Sequence, residues 1–266
     1  MKIQFENTNT IVFESAIYRT TSVLFFNDDF MLLIDPNYLP IEIEFIQAKV
    51  KSIRKNQELF LLFTHSDYDH IVGYEYFDTD KTIASKAFLN FEDQQLKAVQ
   101  NFDKSLYVLR PQKLNFPVLT DVISKDGQSI GTQNNDLTFY LAPGHTADGL
   151  ITLLQPENYL FVGDYLSNIE FPFIADCPTK YLETLDKIEQ IVQTKNIQLL
   201  VVGHGDCLHN KKEMLERIEE SRNYINYLFK NKDVEKLQEF ENELANKYPF
   251  FDSVKEHHEK NIKKCS

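Results

Sequence analysis

At 266 residues, with 42% apolar and 13% aromatic side chains, the chain carries enough apolar material for a packed core and is too hydrophobic to be disordered. Its 40 acidic against 28 basic residues leave a formal charge of −12, which argues against a nucleic-acid partner. No apolar run is long enough to cross a bilayer and no basic stretch leads into an apolar one at the start, so neither a membrane partner nor a secretory signal is expected.

The first 35 residues alternate in the manner of strands. SVLFFND and FMLLID are separated by polar breaks, and Asp35, Pro36 and Asn37 close the second run as a turn would. After Pro40, the spacing of Ile41, Phe45, Ala48 and Ile53 predicts an amphipathic helix. ELFLLFTH then reads as a buried strand, and the same strand-then-loop pattern recurs at LTFYLAPGH, YLFVGD and IQLLVVGH. Between the last two, Leu182, Leu185, Ile188 and Val192 set out one apolar face of a helix. Strands alternating with helices place the chain in the α/β class. From Lys211 onwards the periodicity is helical, with Leu215, Ile218, Tyr224, Leu228, Leu237, Phe240 and Leu244 as the buried face. Breaks are expected near Asn231–Asp233 and at Pro249. The expected organisation is one domain over 1–210 and an α-helical extension over 211–266.

Four strand ends each deliver side chains suited to a metal. The richest is Thr64-His65-Ser66-Asp67-Tyr68-Asp69-His70; the others end in His145, Asp164 and His204. A strand end is a rigid place from which a loop can project side chains into one cleft. Histidine and aspartate are donors that borderline divalent metals accept, and a carboxylate can bridge two of them. Six of the eight glycines, at positions 73, 144, 149, 163, 203 and 205, fall within or beside these segments and allow tight loops there. A single histidine after a strand would mean little; four such segments in order are hard to read as solvated turns. His209, His257 and His258 lie outside such contexts and read as surface residues. Tyr68, inside the richest loop, is expected to face the cleft, while Tyr74, Tyr165, Phe171 and Phe173 are nearby aromatics.

This ordered set resembles the metallo-β-lactamase superfamily over roughly residues 10–208. The resemblance implies a four-layer αββα sandwich, here with a helical C-terminal appendage, and a two-metal centre at one edge. Asp35 matches the early aspartate that orients the ligand loop. His65, Asp69, His70, His145, Asp164 and His204 match ligand positions, with Asp164 as the bridge. The second histidine of the family's H-x-H-x-D-H loop is Asp67 here, which gives H-x-D-x-D-H. One metal would then take His65, Asp67, His145 and Asp164; the other would take Asp69, His70, His204 and Asp164. Three carboxylates and one hydroxide would cancel the charge of two divalent ions. The extra oxygen donor tilts the first position towards iron or manganese relative to zinc. The departure is also similar to the flavodiiron branch, which carries a longer glutamate at that position. The reach of Asp67 therefore decides whether one metal or two are held.

The expected function is a metal-dependent hydrolase, in which a metal-bound hydroxide attacks a small ester, lactone, thioester or phosphodiester. Asp69 is the expected catalytic residue, orienting the nucleophile or moving its proton. Asp148 could bond a ligand histidine from behind. The alternative is a di-iron oxygen-binding or redox protein of the same fold. The expected cofactors are two divalent ions, zinc or iron, with manganese allowed. A small-molecule substrate is the expected partner and a homodimer is compatible with the sequence. Cys177, Cys207 and Cys265 are odd in number without C-x-x-C spacing, so a cytoplasmic location is expected.

Overall fold

The computed structural model describes residues 1–111 and 113–266. Its strands form two sheets. The first contains β1 (Lys2–Glu6), β2 (Thr10–Glu14), β3 (Thr21–Phe26), β4 (Phe30–Ile34), β5 (Glu58–Leu62), β6 (Lys81–Ser85) and β7 (Asp121–Ile123), side by side in that order. Pairing is antiparallel from β1 to β4 and parallel from β4 to β7. The second runs β12 (Leu199–Val201), β11 (Tyr159–Phe161), β10 (Leu150–Gln155), β9 (Asp136–Leu141) and β8 (Gln128–Gly131). Only its β11–β12 pair is parallel.

The central strands read as unbroken apolar runs because both of their faces are covered. In β4, Phe30, Leu32 and Ile34 join the core between the sheets, while Met31 and Leu33 join the cluster on the outer side. β5 divides in the same way, with Phe60 and Leu62 inward and Leu59 and Leu61 outward. The helices α1 (Pro40–Ile53) and α3 (Glu92–Ser105) cover the first sheet; the short turn α2 (Tyr68–Ile71) lies in the loop after β5. Outside the second sheet pack α4 (Pro178–Thr194), α5 (Lys211–Lys230), α6 (Val234–Lys247) and α7 (Phe251–Lys264), which share one apolar cluster with it. The result is the four-layer αββα sandwich expected from the resemblance.

The breaks in the helical region have local causes. Asn210 caps α5 by accepting from Lys212 N at 2.8 Å, and Asp233 caps α6 by accepting from Lys236 N at 3.1 Å. Pro249 precedes α7, where a helix cannot continue. One expected face is reversed. In α1 the buried residues are Glu42, Ile43, Ile46 and Val50, whereas Ile41 is 74% and Phe45 43% exposed. Glu42 accepts from Ser15 Oγ at 2.6 Å and Ala16 N at 2.9 Å, and pairs with the Met1 ammonium at 3.2 Å. That satisfied carboxylate turns the stripe Ile43-Ile46-Val50 inwards. Among the described residues, no helix is long and apolar enough to cross a membrane.

Candidate metal centre

The carboxyl ends of β4, β5, β9, β11 and β12 meet at one edge of the sandwich, where hydrogen bonds tie the sheets together. Leu150 N donates to Thr64 O and Thr21 N to Gly203 O, both at 2.7 Å. Only glycine fits at 203, since a Cβ there would run into Asp164 Oδ1. Asp35, directly after β4, adopts a left-handed φ of 48°. Its carboxylate accepts from Thr64 N at 2.9 Å, Thr64 Oγ1 at 2.6 Å and His70 Nδ1 at 2.9 Å. The strained backbone thus anchors the start of the loop that follows β5.

Each histidine of the cluster is oriented from behind. His70 Nδ1 donates to Asp35, His145 Nδ1 to Phe173 O at 2.8 Å and His204 Nδ1 to Tyr18 O at 2.9 Å. His65 Nδ1 lies 3.1 Å from Thr64 Oγ1, whose own proton goes to Asp35. These partners select the Nδ1–H tautomer on all four rings and leave every Nε2 facing the middle. There His65, His70 and His145 have buried Nε2 atoms with no hydrogen-bond partner, as does Asp164 Oδ1. Orphaned polar atoms in a buried place call for a ligand.

The spacing suits a metal. His65 Nε2 and His145 Nε2 each lie 3.6 Å from Asp67 Oδ2, and 3.5 and 3.3 Å from Asp164 Oδ2. His70 and His204 Nε2 lie 3.6 and 3.5 Å from Asp69 Oδ2, and each 3.2 Å from an oxygen of Asp164. Donors at about 2.1 Å from a tetrahedral metal stand about 3.4 Å from one another, so these separations fit two adjoining positions that share Asp164. Despite its short side chain, Asp67 presents Oδ2 beside His65 and His145. Gln95 Nε2 donates to Asp67 Oδ1 at 2.9 Å, which turns Oδ2 towards the histidines. Thr20 Oγ1 donates to Asp69 Oδ2 at 3.0 Å.

In the metal-free protein, the clustered carboxylates favour protonated imidazoles. Burial pushes His65 down, as does the charge of His70, but Asp164 and Asp67 lift it to about 9. Burial likewise opposes charge on His204, yet Asp164, Glu170 and Asp69 raise it to about 10. Burial would raise Asp67, but the neighbouring His145 and His65 hold it well below the usual carboxylate range. A metal must therefore displace Nε2 protons at neutral pH. Zinc uptake at pH 7.5 should release protons, and apparent affinity should rise from pH 7 to about 10, as first His65 and then His204 deprotonates by itself. Calorimetry in buffers of different ionisation enthalpy measures the release; identical heats in all of them would contradict it.

Several groups behave differently from expectation. Tyr68 stacks on Phe102 of α3, with ring centroids 4.2 Å apart, rather than lining the cleft. Asp148 Oδ2 accepts from Ser66 N at 2.8 Å and so steadies the ligand loop, not a histidine ring. Tyr165 supports His145 through the backbone, its hydroxyl accepting from His145 N at 3.0 Å. Phe171 and Phe173 line the cleft together with Glu170. His258 is fully buried and bonds Tyr224 Oη at 2.8 Å, whereas His209 and His257 are exposed. Gln95, Thr20 and Asn261 carried no sequence signal, because each acts from a separate element across tertiary space.

The helices after β12 reach this edge. Ser221 of α5 lines the cleft. From α7, Asn261 Nδ2 donates to Pro172 O at 2.6 Å and its Oδ1 accepts from Ile174 N at 3.0 Å. The same segment supplies Phe173 O to His145 and, through Ala175 N, bonds His145 O at 2.7 Å. Asn261 is therefore a brace behind His145. Asn261→Leu should weaken metal uptake at the His65–Asp67–His145 position about tenfold or more and spare the other position. Chelator competition with metal counting reads this; equal losses at both positions would mean general destabilisation instead.

Two facing sheets between helical layers, with a buried histidine–aspartate cluster at one edge, define an αββα protein with a candidate two-metal centre. The chain belongs to the metallo-β-lactamase superfamily, whose family model matches residues 18–204. Members of that superfamily are mostly hydrolases and typically bind divalent metals. A thioesterase, pkgB of Emericella nidulans, is 30% identical over 92 residues, which are 35% of this chain and 26% of that protein. The sec-alkylsulfatase Pisa1 from Pseudomonas sp. superposes with a TM-score of 0.67 at 14% identity, covering 90% of this chain and 43% of the sulfatase. A metallo-β-lactamase from Pontibacter korlensis superposes with a TM-score of 0.61 at 14% identity, over 84% of this chain and 99% of that one. The chain thus spans about a quarter of the thioesterase and less than half of the sulfatase.

Proposed function

We propose that this protein is a metal-dependent hydrolase of a small ester, lactone, thioester or phosphodiester, with the thioester as the first class to test. The observation that carries the reading is the convergence of His65, Asp67, Asp69, His70, His145, Asp164 and His204 at tetrahedral-edge spacing with their Nε2 atoms turned inwards. His65, Asp67 and His145 would hold one divalent ion and Asp69, His70 and His204 a second, with Asp164 facing both. Two such ions, zinc or iron, would lower the pKa of water and polarise the bond to be split. Asp69, held by Thr20, orients the nucleophile and takes up its proton. Phe171 and Phe173 supply an apolar wall that keeps bulk water off the reacting bond. The match to part of a thioesterase supports the choice of thioester. The free state of all three cysteines supports a reducing, cytoplasmic setting. Metal analysis of the purified protein, followed by a screen of the four substrate classes with the loaded protein, tests the reading. Loaded protein inert towards all four would overturn it.

A second reading draws on one observation. The oxygen of Asp67 stands 3.6 Å from both His65 and His145, and gives the first position the harder donor set that iron prefers. A di-iron protein that binds oxygen would then show iron as the native metal and an optical spectrum that changes on exposure to air.

A further inference from the structure

The loop after Asp164 forms the far wall of the cleft, with Leu166, Ser167, Glu170, Phe171, Pro172 and Phe173 along it. Every other carboxylate at this edge has a protein partner. Asp35 serves Thr64 and His70, Asp67 is held by Gln95, Asp69 by Thr20, and Asp148 by Ser66 N. Glu170 is half-buried, yet among the described residues its carboxylate takes part in no hydrogen bond and no ion pair. Among the described residues, no lysine or arginine lines the cleft beside it.

The charges sharpen the point. Asp67, Asp69 and Asp164 cancel three of the four positive charges that two divalent ions bring, and a hydroxide nucleophile cancels the fourth. Asp35 is engaged by Thr64 and His70, which leaves Glu170 as a carboxylate of the cleft wall without a protein partner among the described residues. An anionic substrate tail would meet that carboxylate with no lysine or arginine on the cleft wall to offset it, whereas a cationic tail would meet its counter-charge there.

Resting on the metal-centre reading above, we infer that Glu170 is a specificity-determining residue that selects substrates bearing an alkylammonium group and rejects those bearing a carboxylate. Burial disfavours its charge, His204 and His145 favour it, and Asp164 and Asp69 oppose it again. A neighbouring cation would relieve that penalty.

The test uses three small thiols whose sulfur ligates the metals and whose tails enter the cleft: 2-mercaptoethyl-trimethylammonium, 2-mercaptoethanol and 3-mercaptopropionate. Their dissociation constants are measured on the metal-loaded protein by calorimetry and, after cobalt substitution, by the thiolate-to-metal absorption band. The ammonium thiol should bind the parent about tenfold or more tighter than the carboxylate thiol. Glu170→Gln should bring the two within about threefold, and Glu170→Lys should invert the order. An unchanged ratio in Glu170→Gln, or a parent that prefers the carboxylate thiol or binds none of the three, overturns the proposal. The parent's own preference decides even if the variants fail to fold. Loss of metal from Glu170→Gln also overturns it, because the residue would then serve the metals. Thiol discrimination without hydrolysis of any substrate would instead remove the hydrolase reading and leave this recognition standing.

Discussion

Asp164→Ala is expected to lose both metals together and to reduce turnover about a thousandfold or more, the largest effect of any single change in this chain. Among the described residues, no other donor faces all four histidines: Oδ2 lies 3.5, 3.3 and 3.2 Å from His65, His145 and His204, and Oδ1 lies 3.2 Å from His70. Removing it also removes a major counter-charge that keeps the imidazoles protonated in the metal-free state. The histidines would then be buried close together, with centroids of His65 and His70 only 4.2 Å apart. Metal content by elemental analysis should fall from about two ions per chain to below one. A variant that retained one tightly bound ion would show that the two positions do not share Asp164.

Asp67→His should change which metal is bound. The substitution exchanges an oxygen donor for a nitrogen donor at the first position and raises the charge of the loaded site by one unit. Zinc should be favoured over iron, and water in the site should become more acidic, which moves the alkaline limb of the pH profile with it. Gln95 Nε2 would lose its partner Oδ1, so part of the gain is offset by a less firmly held side chain. Metal identity and count are to be compared for parent and variant prepared side by side. The same metals in the same amounts would show that position 67 does not touch the metals.

The donors were legible in the sequence because their signal is local: a buried apolar run, then a histidine or aspartate, with glycine close by. His65 and His70 follow β5, His145 follows β9, and Asp164 and His204 follow the parallel pair β11 and β12. The layers were legible through family resemblance and through strands apolar on both faces. What escaped notice acts at a distance. Gln95 lies on α3 beside the apolar stripe of Leu96, Val99 and Phe102, where a glutamine gives no local sign that its amide turns towards a distant loop. The face of α1 was misread because apolar residues lie on both of its sides, and the choice between them is made by Glu42 and its partners from the first strands. His258 gave no sign of burial because its neighbour His257 is exposed and the surrounding sequence is charged.

The brace that α7 applies to the Pro172–Ile174 segment has a consequence for how the protein is made. All of the histidine and aspartate donors precede α7 in the chain, so during translation they leave the ribosome before Asn261 does. The αββα core can collapse early, but the carbonyl that orients His145 is steadied only after α7 docks. The His145 side of the centre is thereby complete only once α7 has docked against that segment.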